Sequence, residues 1–178
     1  MNIKNIFTND RDQSIESLQF FFFLNEVYFS LLKLKHENNE NNQIQEFIDI
    51  IGKNYYYQSY KVKNYIISLN DYIFWQSRQA YIENMQKFID EDYSTLDFAY
   101  RVYFLIKNNK KESESLVKDF KKQLTLELNP RIFQFSKIIG DLELVLEGFI
   151  PESTTDLTED ELKIIIKNVL IKIQNDFK

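Results

Sequence analysis

The clearest indication of the fold class is the segment Thr158–Asn175, TEDELKIIIKNVLIKIQN. Thr158 is followed three residues later by Glu161, which is the spacing of a capping box, where each side chain accepts a hydrogen bond from the other residue's backbone N–H at a helix start. The acidic first turn also suits the positive end of a helix dipole. Amphipathic spacing of the apolar residues follows, and we predict a helix over Glu159–Asn175.

Similar start and stop signals recur upstream. The start signals are Ser68 with Asp71, Ser94 with Asp97, and Asn129 followed by Pro130. The other predicted helices are Ser14 to about Lys35, Gln43–Ile51, Ser68–Ile89, Thr95–Ile106, Glu112–Leu126 and Arg131–Glu147. Gly52 and Gly148 are expected to end helices, and Asn108–Lys111 to form a polar turn. Asn54–Ile67 is expected to be helical or irregular, because a lone strand there would have nothing to pair with.

The composition also favours an all-α fold. The chain has 178 residues but only three Gly and two Pro, and most β-hairpin turns need Gly. We therefore predict an antiparallel helical bundle over residues 69–178 with an N-terminal helical extension over 1–68. The apolar stretch Leu18–Leu34 contains Glu26 and is too short for a good membrane span, so we predict a buried helix there. The alternative is that Phe20–Phe23 form an exposed aromatic patch for a partner.

Few kinds of catalytic or cofactor site are compatible with this composition. Cysteine is absent and His36 is the single histidine, which excludes thiolate zinc sites and sites with several His ligands. No Gly-rich phosphate loop is present, and Asp90, Glu91 and Asp92 lack the spacing of a metal loop. We expect no cofactor, no metal and no enzymatic activity, although a paired-carboxylate hydrolase stays open.

The charge balance argues against nucleic acids as partners. The net charge is −5, from 22 basic and 27 acidic residues, which is unfavourable for duplex DNA binding. Lysines cluster between Lys107 and Lys122 and could touch RNA phosphates, but Glu112, Glu114 and Asp119 interleave with them. A solvated helix face is therefore the preferred interpretation, and RNA binding is not expected.

The strongest charge feature is the segment Asp141–Glu161, which contains no Lys or Arg. Glu161 and its neighbours complement a helix N-terminus, whereas Asp141 and Glu147 lie near a helix C-terminus, where acids are mildly unfavourable. A segment of one sign would steer a basic partner protein. The candidate partner-binding residues are Asp141, Glu143, Glu147, Glu152, Asp156, Glu159 and Asp160, with Asp90, Glu91 and Asp92 as weaker candidates.

Three phrases of the sequence resemble the colicin D immunity protein family over about residues 72–173. They are KFIDEDYSTLDFAYRVYFLI (Lys87–Ile106), FSKIIGDLELVLEGFIPE (Phe135–Glu152) and LTEDELKIIIKNVLIKI (Leu157–Ile173). The resemblance implies a small acidic helical protein that neutralises a transfer-RNA-cleaving toxin by covering its basic active site with carboxylates. It also implies that the acids of these phrases are the interaction surface.

We therefore expect a non-catalytic binding protein with a basic protein partner. The alternative is a structural or assembly subunit that docks to a larger complex through its aromatic N-terminal helices. Phe, Tyr, Ile, Asn and Lys are abundant, which is typical of an AT-rich genome and suggests a bacterial cytoplasm or a plastid stroma as the compartment of a soluble protein.

Overall fold

The computed structural model describes residues 11–37, 42–149 and 157–177, and in these ranges every regular element is helical. The elements are α1 (Arg11–Glu37), α2 (Asn42–Gln76), α3 (Arg78–Ile89), α4 (Thr95–Lys118), α5 (Phe120–Leu124), a 3-10 turn (Pro130–Ile132), α6 (Phe135–Glu147) and α7 (Glu159–Asp176). The predicted all-α fold is confirmed. None of the described helices combines the length and apolarity that crossing a membrane would require.

The chain packs into two compact units. The first unit is Met1–Ile66 with Phe120–Leu126, and the second is Ile67–Asp119 with Glu127–Lys178. The assignment of residues 1–68 and 69–178 to separate domains stays a prediction, and it did not anticipate that α5 packs with the first unit.

In the first unit, α1 and α2 run antiparallel along a seam of aromatic rings. Gln58 Nε2 donates to the Ser17 carbonyl at 2.8 Å, and the Tyr28 and Tyr55 rings stack with centroids 5.2 Å apart. Gly52 was expected to end a helix but lies inside α2, so that expectation was wrong. A Cβ at Gly52 would lie 3.1 Å from Tyr28 Cε2, which shows that the missing side chain lets the Tyr28 ring approach α2.

The short helix α5 joins this hairpin through one aromatic contact and one polar contact. The Phe22 and Phe120 rings meet edge-on at 6.2 Å. The buried Tyr65 hydroxyl donates to Gln123 Oε1 at 3.1 Å, which satisfies a polar group that burial would otherwise leave unpaired.

The second unit is a four-helix bundle in which α3 packs on α4, α4 on α6, α6 on α7, and α7 on α3. Each helix presents one apolar stripe to a shared core. The core residues are Phe74, Tyr81, Met85, Phe88, Phe98, Ala99, Val102, Ile106, Phe135, Ile139, Leu142, Leu146, Leu162, Ile166, Leu170 and Ile173. Burial of each large apolar side chain contributes about 1.5–3 kcal/mol of hydrophobic free energy, so this core dominates the stability of the unit.

Neighbouring helices of the bundle are antiparallel. The Phe135 and Phe177 rings lie 5.3 Å apart, which shows that the start of α6 is next to the end of α7. The end of α3 meets the start of α7, because Lys163 Nζ lies 3.0 Å from Glu91 Oε1. The end of α3 and the start of α7 therefore lie at the same end of the bundle.

Two of the predicted start signals are confirmed and a third is wrong. Ser94 caps α4, and Thr158 and Glu161 form the reciprocal capping box of α7. Ser68 and Asp71 do not open a helix, because both are buried in the interior of α2. Instead, Asp71 accepts hydrogen bonds from the backbone N–H groups of residues 134 and 136 at 2.7 and 2.8 Å, which caps the start of α6.

Other helix boundaries in the structure differ from the predicted ones, because tertiary contacts outweigh local polarity. The expected turn Asn108–Lys111 lies inside α4, where buried Asn109 donates to the Tyr81 hydroxyl at 2.9 Å. Burial raises the pKa of the Tyr81 hydroxyl, which therefore stays protonated. Asn129 caps only the 3-10 turn, and α6 begins after Gln134, which has a left-handed φ of 70°.

Candidate partner-binding surface

The centre of the candidate surface is Lys163, which joins two acidic segments that are distant in sequence. Its Nζ lies 3.0 Å from Glu91 Oε1 after α3 and 3.3 Å from Glu159 Oε1 in the first turn of α7. The Thr95 hydroxyl donates to Glu159 Oε2 at 2.7 Å and adds the start of α4 to the same site. Three helix termini are thus linked at one end of the bundle.

Around this centre lies a group of exposed carboxylates that we name the acidic end. It consists of Asp90, Glu91, Asp92, Glu159 and Asp160. Within the described residues, no ion pair engages Asp90, Asp92 or Asp160. Their charges are therefore not neutralised by a lysine or arginine of the described residues, although Asp90 accepts a hydrogen bond from the neutral Gln86 side chain.

The loop after α3 is fixed by the way the helix ends. Asp92 N–H donates to the Lys87 carbonyl and Glu91 N–H to the Phe88 carbonyl, which is the hydrogen-bond pattern of a Schellman cap. Glu91 takes the left-handed position of that cap with φ 66°, where Gly is the usual residue. The cap holds three consecutive acids in one defined turn.

Hydrogen bonds keep the acids of α7 ionised. The hydrogen bond from Thr95, with a second from Lys163, holds the pKa of Glu159 below its ordinary value. The Thr158 backbone N–H lowers the pKa of Glu161 in the same way. The hydrogen bond to Glu91 raises the pKa of Lys163. Around neutral pH all of these groups carry their full charge.

The acids predicted on α6 separate in the structure. Glu147 is exposed at the last position of α6, and because α6 is antiparallel to α7 it lies toward the acidic end. Glu143 is largely buried and its Oε2 lies 2.5 Å from Lys110 Nζ. Its carboxylate is already neutralised, which argues against a direct contact with a partner.

Asp141 lies in cationic surroundings away from the acidic end. It lines an open cavity of about 340 Å³ with three cations, Arg131, Lys137 and Lys172, and one further acid, Asp176, so its charge does not extend the acidic end. Glu152 and Asp156 lie outside the described residues. The structure therefore brings Glu159 and Asp160 together with Asp90, Glu91 and Asp92, which the sequence ranked as weaker candidates.

The geometry of the acidic end suits recognition. Its carboxylates are exposed and project from the ends of helices, so a partner could reach them without opening the core. Among the described residues, no cluster of His, Asp and Glu could hold a metal ion. Sequence patterns alone missed the central role of Lys163, because its pairing with Glu91 spans 72 residues.

A second exposed feature lies on α1. The Phe20 and Phe23 rings stack with centroids 6.4 Å apart, and their side chains are 49% and 58% exposed. Phe21, in contrast, is partly buried and stacks on Tyr55 at 5.4 Å. The predicted aromatic stretch is therefore divided between packing and solvent.

Outside comparisons add no relative to these observations. A comparison of the chain with protein-family models, with curated proteins and with solved structures finds no match in any of the three.

Proposed function

We propose that this chain is a non-catalytic binding protein whose acidic end docks onto a basic surface of a partner protein. The observation that carries the proposal is the meeting of the α3 end, the α4 start and the α7 start around Lys163, with Asp90, Asp92 and Asp160 left without an ion pair among the described residues. Like charges held close together create a concentrated negative potential that accelerates encounter with a basic partner.

Rigidity of the scaffold supports this role. The Lys163 side chain is only 18% exposed, so it acts as an internal cross-link between the two acidic segments. Thr95 fixes Glu159 from a third segment. Because Glu91 and Glu159 are held in place before binding, less side-chain entropy is lost at these two residues when the partner arrives.

The resemblance over residues 72–173 to colicin D immunity proteins supplies the class of partner. We propose a transfer-RNA-cleaving toxin domain, whose basic RNA site would accept carboxylates in place of phosphates. Asp90, Asp92 and Asp160 would make the direct contacts, while Glu91 and Glu159, which share Lys163, would add to the negative potential around them. The AT-rich composition favours a bacterial cytoplasm or a plastid stroma as the compartment for this proposed encounter.

Calorimetry with a purified toxin domain of this class, together with a transfer-RNA cleavage assay, tests the proposal. The triple variant Asp90→Lys, Asp92→Lys, Asp160→Lys should lose binding and inhibition. The matched control Glu112→Lys, Glu114→Lys, Glu127→Lys makes the same change in net charge at exposed acids elsewhere in the second unit and should retain both. Equal binding by the two triple variants would refute a role for the acidic end.

The stacked pair Phe20 and Phe23 favours a second candidate function, in which the chain docks as an assembly subunit through its N-terminal helices. The two stacked rings form one contiguous apolar patch on α1, which a partner surface could cover. Serine at Phe20 and Phe23 should then abolish co-sedimentation with a large complex from host extract. Serine at the exposed Phe104 and Leu144 is the control and should leave co-sedimentation intact.

A further inference from the structure

The outward side of α2 has a charge character opposite to that of the acidic end. Between Ile50 and Ile66 the chain contains Lys53, Lys61 and Lys63 but no Asp or Glu. All three lysines are exposed, and none forms an ion pair within the part of the chain that the structure describes. In a chain with net charge −5, this is a local concentration of unneutralised positive charge.

Exposed tyrosine rings lie among these lysines. Tyr57 is 61% exposed and Tyr60 is 78% exposed, the highest value among the large hydrophobic side chains of the described residues. Lys61 Nζ lies over the Tyr57 ring, 4.7 Å from its centroid. The ring and the ammonium group therefore form one mixed surface rather than two separate ones.

These side chains line one open cavity. Its lining residues are Tyr57, Tyr60, Lys61, Lys63 and Asn64, and its volume is about 480 Å³. We name this set the tyrosine–lysine face. No carboxylate is among its lining residues. The volume falls within the range of pockets that hold small organic groups, such as a nucleobase with its sugar.

We propose that the tyrosine–lysine face binds single-stranded nucleic acid. Unpaired bases would stack on the exposed rings of Tyr57 and Tyr60, while Lys61 and Lys63 would neutralise the phosphates between them. Aromatic platforms beside cations are the general chemistry of sequence-tolerant single-strand binding. Asn64 adds an amide at the rim of the same cavity.

The composition of the face favours a nucleic acid over a lipid surface. Its aromatic residues are both tyrosines, and it contains no Phe, Trp or Leu, the residues that anchor interfacial helices in membranes. The net charge of the chain argued against RNA, but at physiological salt charges farther away than about 8 Å are largely screened. The local charge of the face therefore decides whether a phosphate can bind.

Fluorescence anisotropy with a short labelled oligouridylate, and with single-stranded DNA of the same length, tests the proposal on the full chain. The paired change Tyr57→Ala, Tyr60→Ala should weaken binding roughly tenfold or more through lost stacking, whereas Tyr57→Phe, Tyr60→Phe should retain it. Lys61→Glu with Lys63→Glu should also weaken binding. The same reversal at exposed Lys33 and Lys118 is the charge-matched control and should have little effect.

Salt dependence and competing ligands decide the outcome. Neutralisation of two phosphates predicts a slope of log affinity against log salt of about −1.4. Absence of binding at low salt would overturn the proposal, as would equal affinity for duplex and single strands. Binding to phosphatidylserine vesicles that Tyr57→Ala, Tyr60→Ala abolishes, with no binding to either oligonucleotide, would assign the face to membranes instead. None of these results depends on the acidic end.

Discussion

Asp71 lies inside α2, but its side chain caps the start of a different helix, α6. It is fully buried, and its two carboxylate oxygens accept hydrogen bonds from Gln134 N–H, Ser136 N–H and the Ser136 hydroxyl. Burial raises the pKa of Asp71, while these three hydrogen bonds lower it, and the effect of burial is the larger. The three hydrogen bonds therefore offset only part of the cost of burying the charged carboxylate.

Substitution of Asp71 should separate these two effects. Asp71→Ala leaves the N–H groups of residues 134 and 136 without their acceptor and should lower the free energy of unfolding by about 1–3 kcal/mol. Asp71→Asn keeps one acceptor oxygen and should lose less. Urea unfolding followed by circular dichroism measures the free energy of unfolding of both variants. A larger loss of stability for Asp71→Asn than for Asp71→Ala would contradict the hydrogen-bond explanation.

The difference in stability between the wild type and Asp71→Asn should depend on pH, because the pKa of Asp71 is raised in the folded state. A carboxyl whose folded pKa lies above its unfolded value of 3.8 favours the folded state most below that unfolded value. This contribution is lost as the pH rises through the folded pKa. The advantage of the wild type over Asp71→Asn should therefore shrink from acid to neutral pH, and an advantage that grows would show the opposite shift.

At the scale of elements, helix starts could be predicted where the signal is local. Ser94 and Thr158 each cap the helix that directly follows them, so their spacing alone was sufficient. Ser68 and Asp71 have similar spacing but lie inside α2, because spacing carries no information about burial. Likewise, the polar segment Asn108–Lys111 stays helical because the buried Asn109 amide binds Tyr81.

The candidate surface could be predicted only in part for a related reason. The acidic character of α7 is visible in the sequence, but its adjacency to Glu91 depends on how α3 and α7 pack. Glu143 looked equivalent to Asp141 and Glu147 by charge, yet its position on α6 turns it toward Lys110. Helix phase against neighbouring helices, which composition does not specify, decides which acids face solvent.

The capping box of α7 should contribute measurably to the stability of the protein. Thr158→Ala should lower the free energy of unfolding by about 1 kcal/mol, because the Glu161 N–H loses its acceptor. Circular dichroism in urea measures the loss. The exposed Thr125 hydroxyl donates only to a backbone carbonyl one turn earlier, so Thr125→Ala is a control that should change stability much less.

Glu161→Gln tests the charged half of the box through pH. The pKa of Glu161 is lowered from 4.5 by the Thr158 backbone N–H, so its contribution is present above pH 4.5 and is lost as the pH falls through the folded pKa. The variant should be less stable than the wild type at neutral pH and equal to it in strong acid. A difference that persists in strong acid would show that ionisation is not its cause.

At the scale of the whole molecule, α2 contributes residues to both compact units. Its last turns provide Phe74 to the bundle core and Trp75 to the contact with Phe135, whose ring centroid lies 5.1 Å away. The limit of the bundle therefore lies inside a continuous helix rather than at a loop. The signal of Ser68 with Asp71 predicts a boundary between residues 68 and 69, but it predicts the start of a new helix there rather than the continuation of α2.

Two shortened chains test this limit. A chain that begins at Ile67 keeps Asp71, Phe74 and Trp75, whereas a chain that begins at Arg78 lacks all three. Loss of a buried Phe alone costs about 3–5 kcal/mol, so the shorter chain should unfold at clearly lower urea, measured by circular dichroism. Equal midpoints for the two chains would mean that the last turns of α2 are dispensable for the bundle.

The contact between Asp71 and residues 134 and 136 also bears on how the protein is made. Gln134 and Ser136 follow Asp71 by 63 and 65 residues in the sequence. The carboxylate therefore precedes the amides that it binds. Because synthesis proceeds from the N-terminus, Asp71 leaves the ribosome before Gln134 and Ser136. The hydrogen-bond acceptor is therefore present when these two amides emerge from the exit tunnel. If the order of these segments were reversed by circular permutation, α6 would emerge with its first amides exposed and would have to wait for its acceptor.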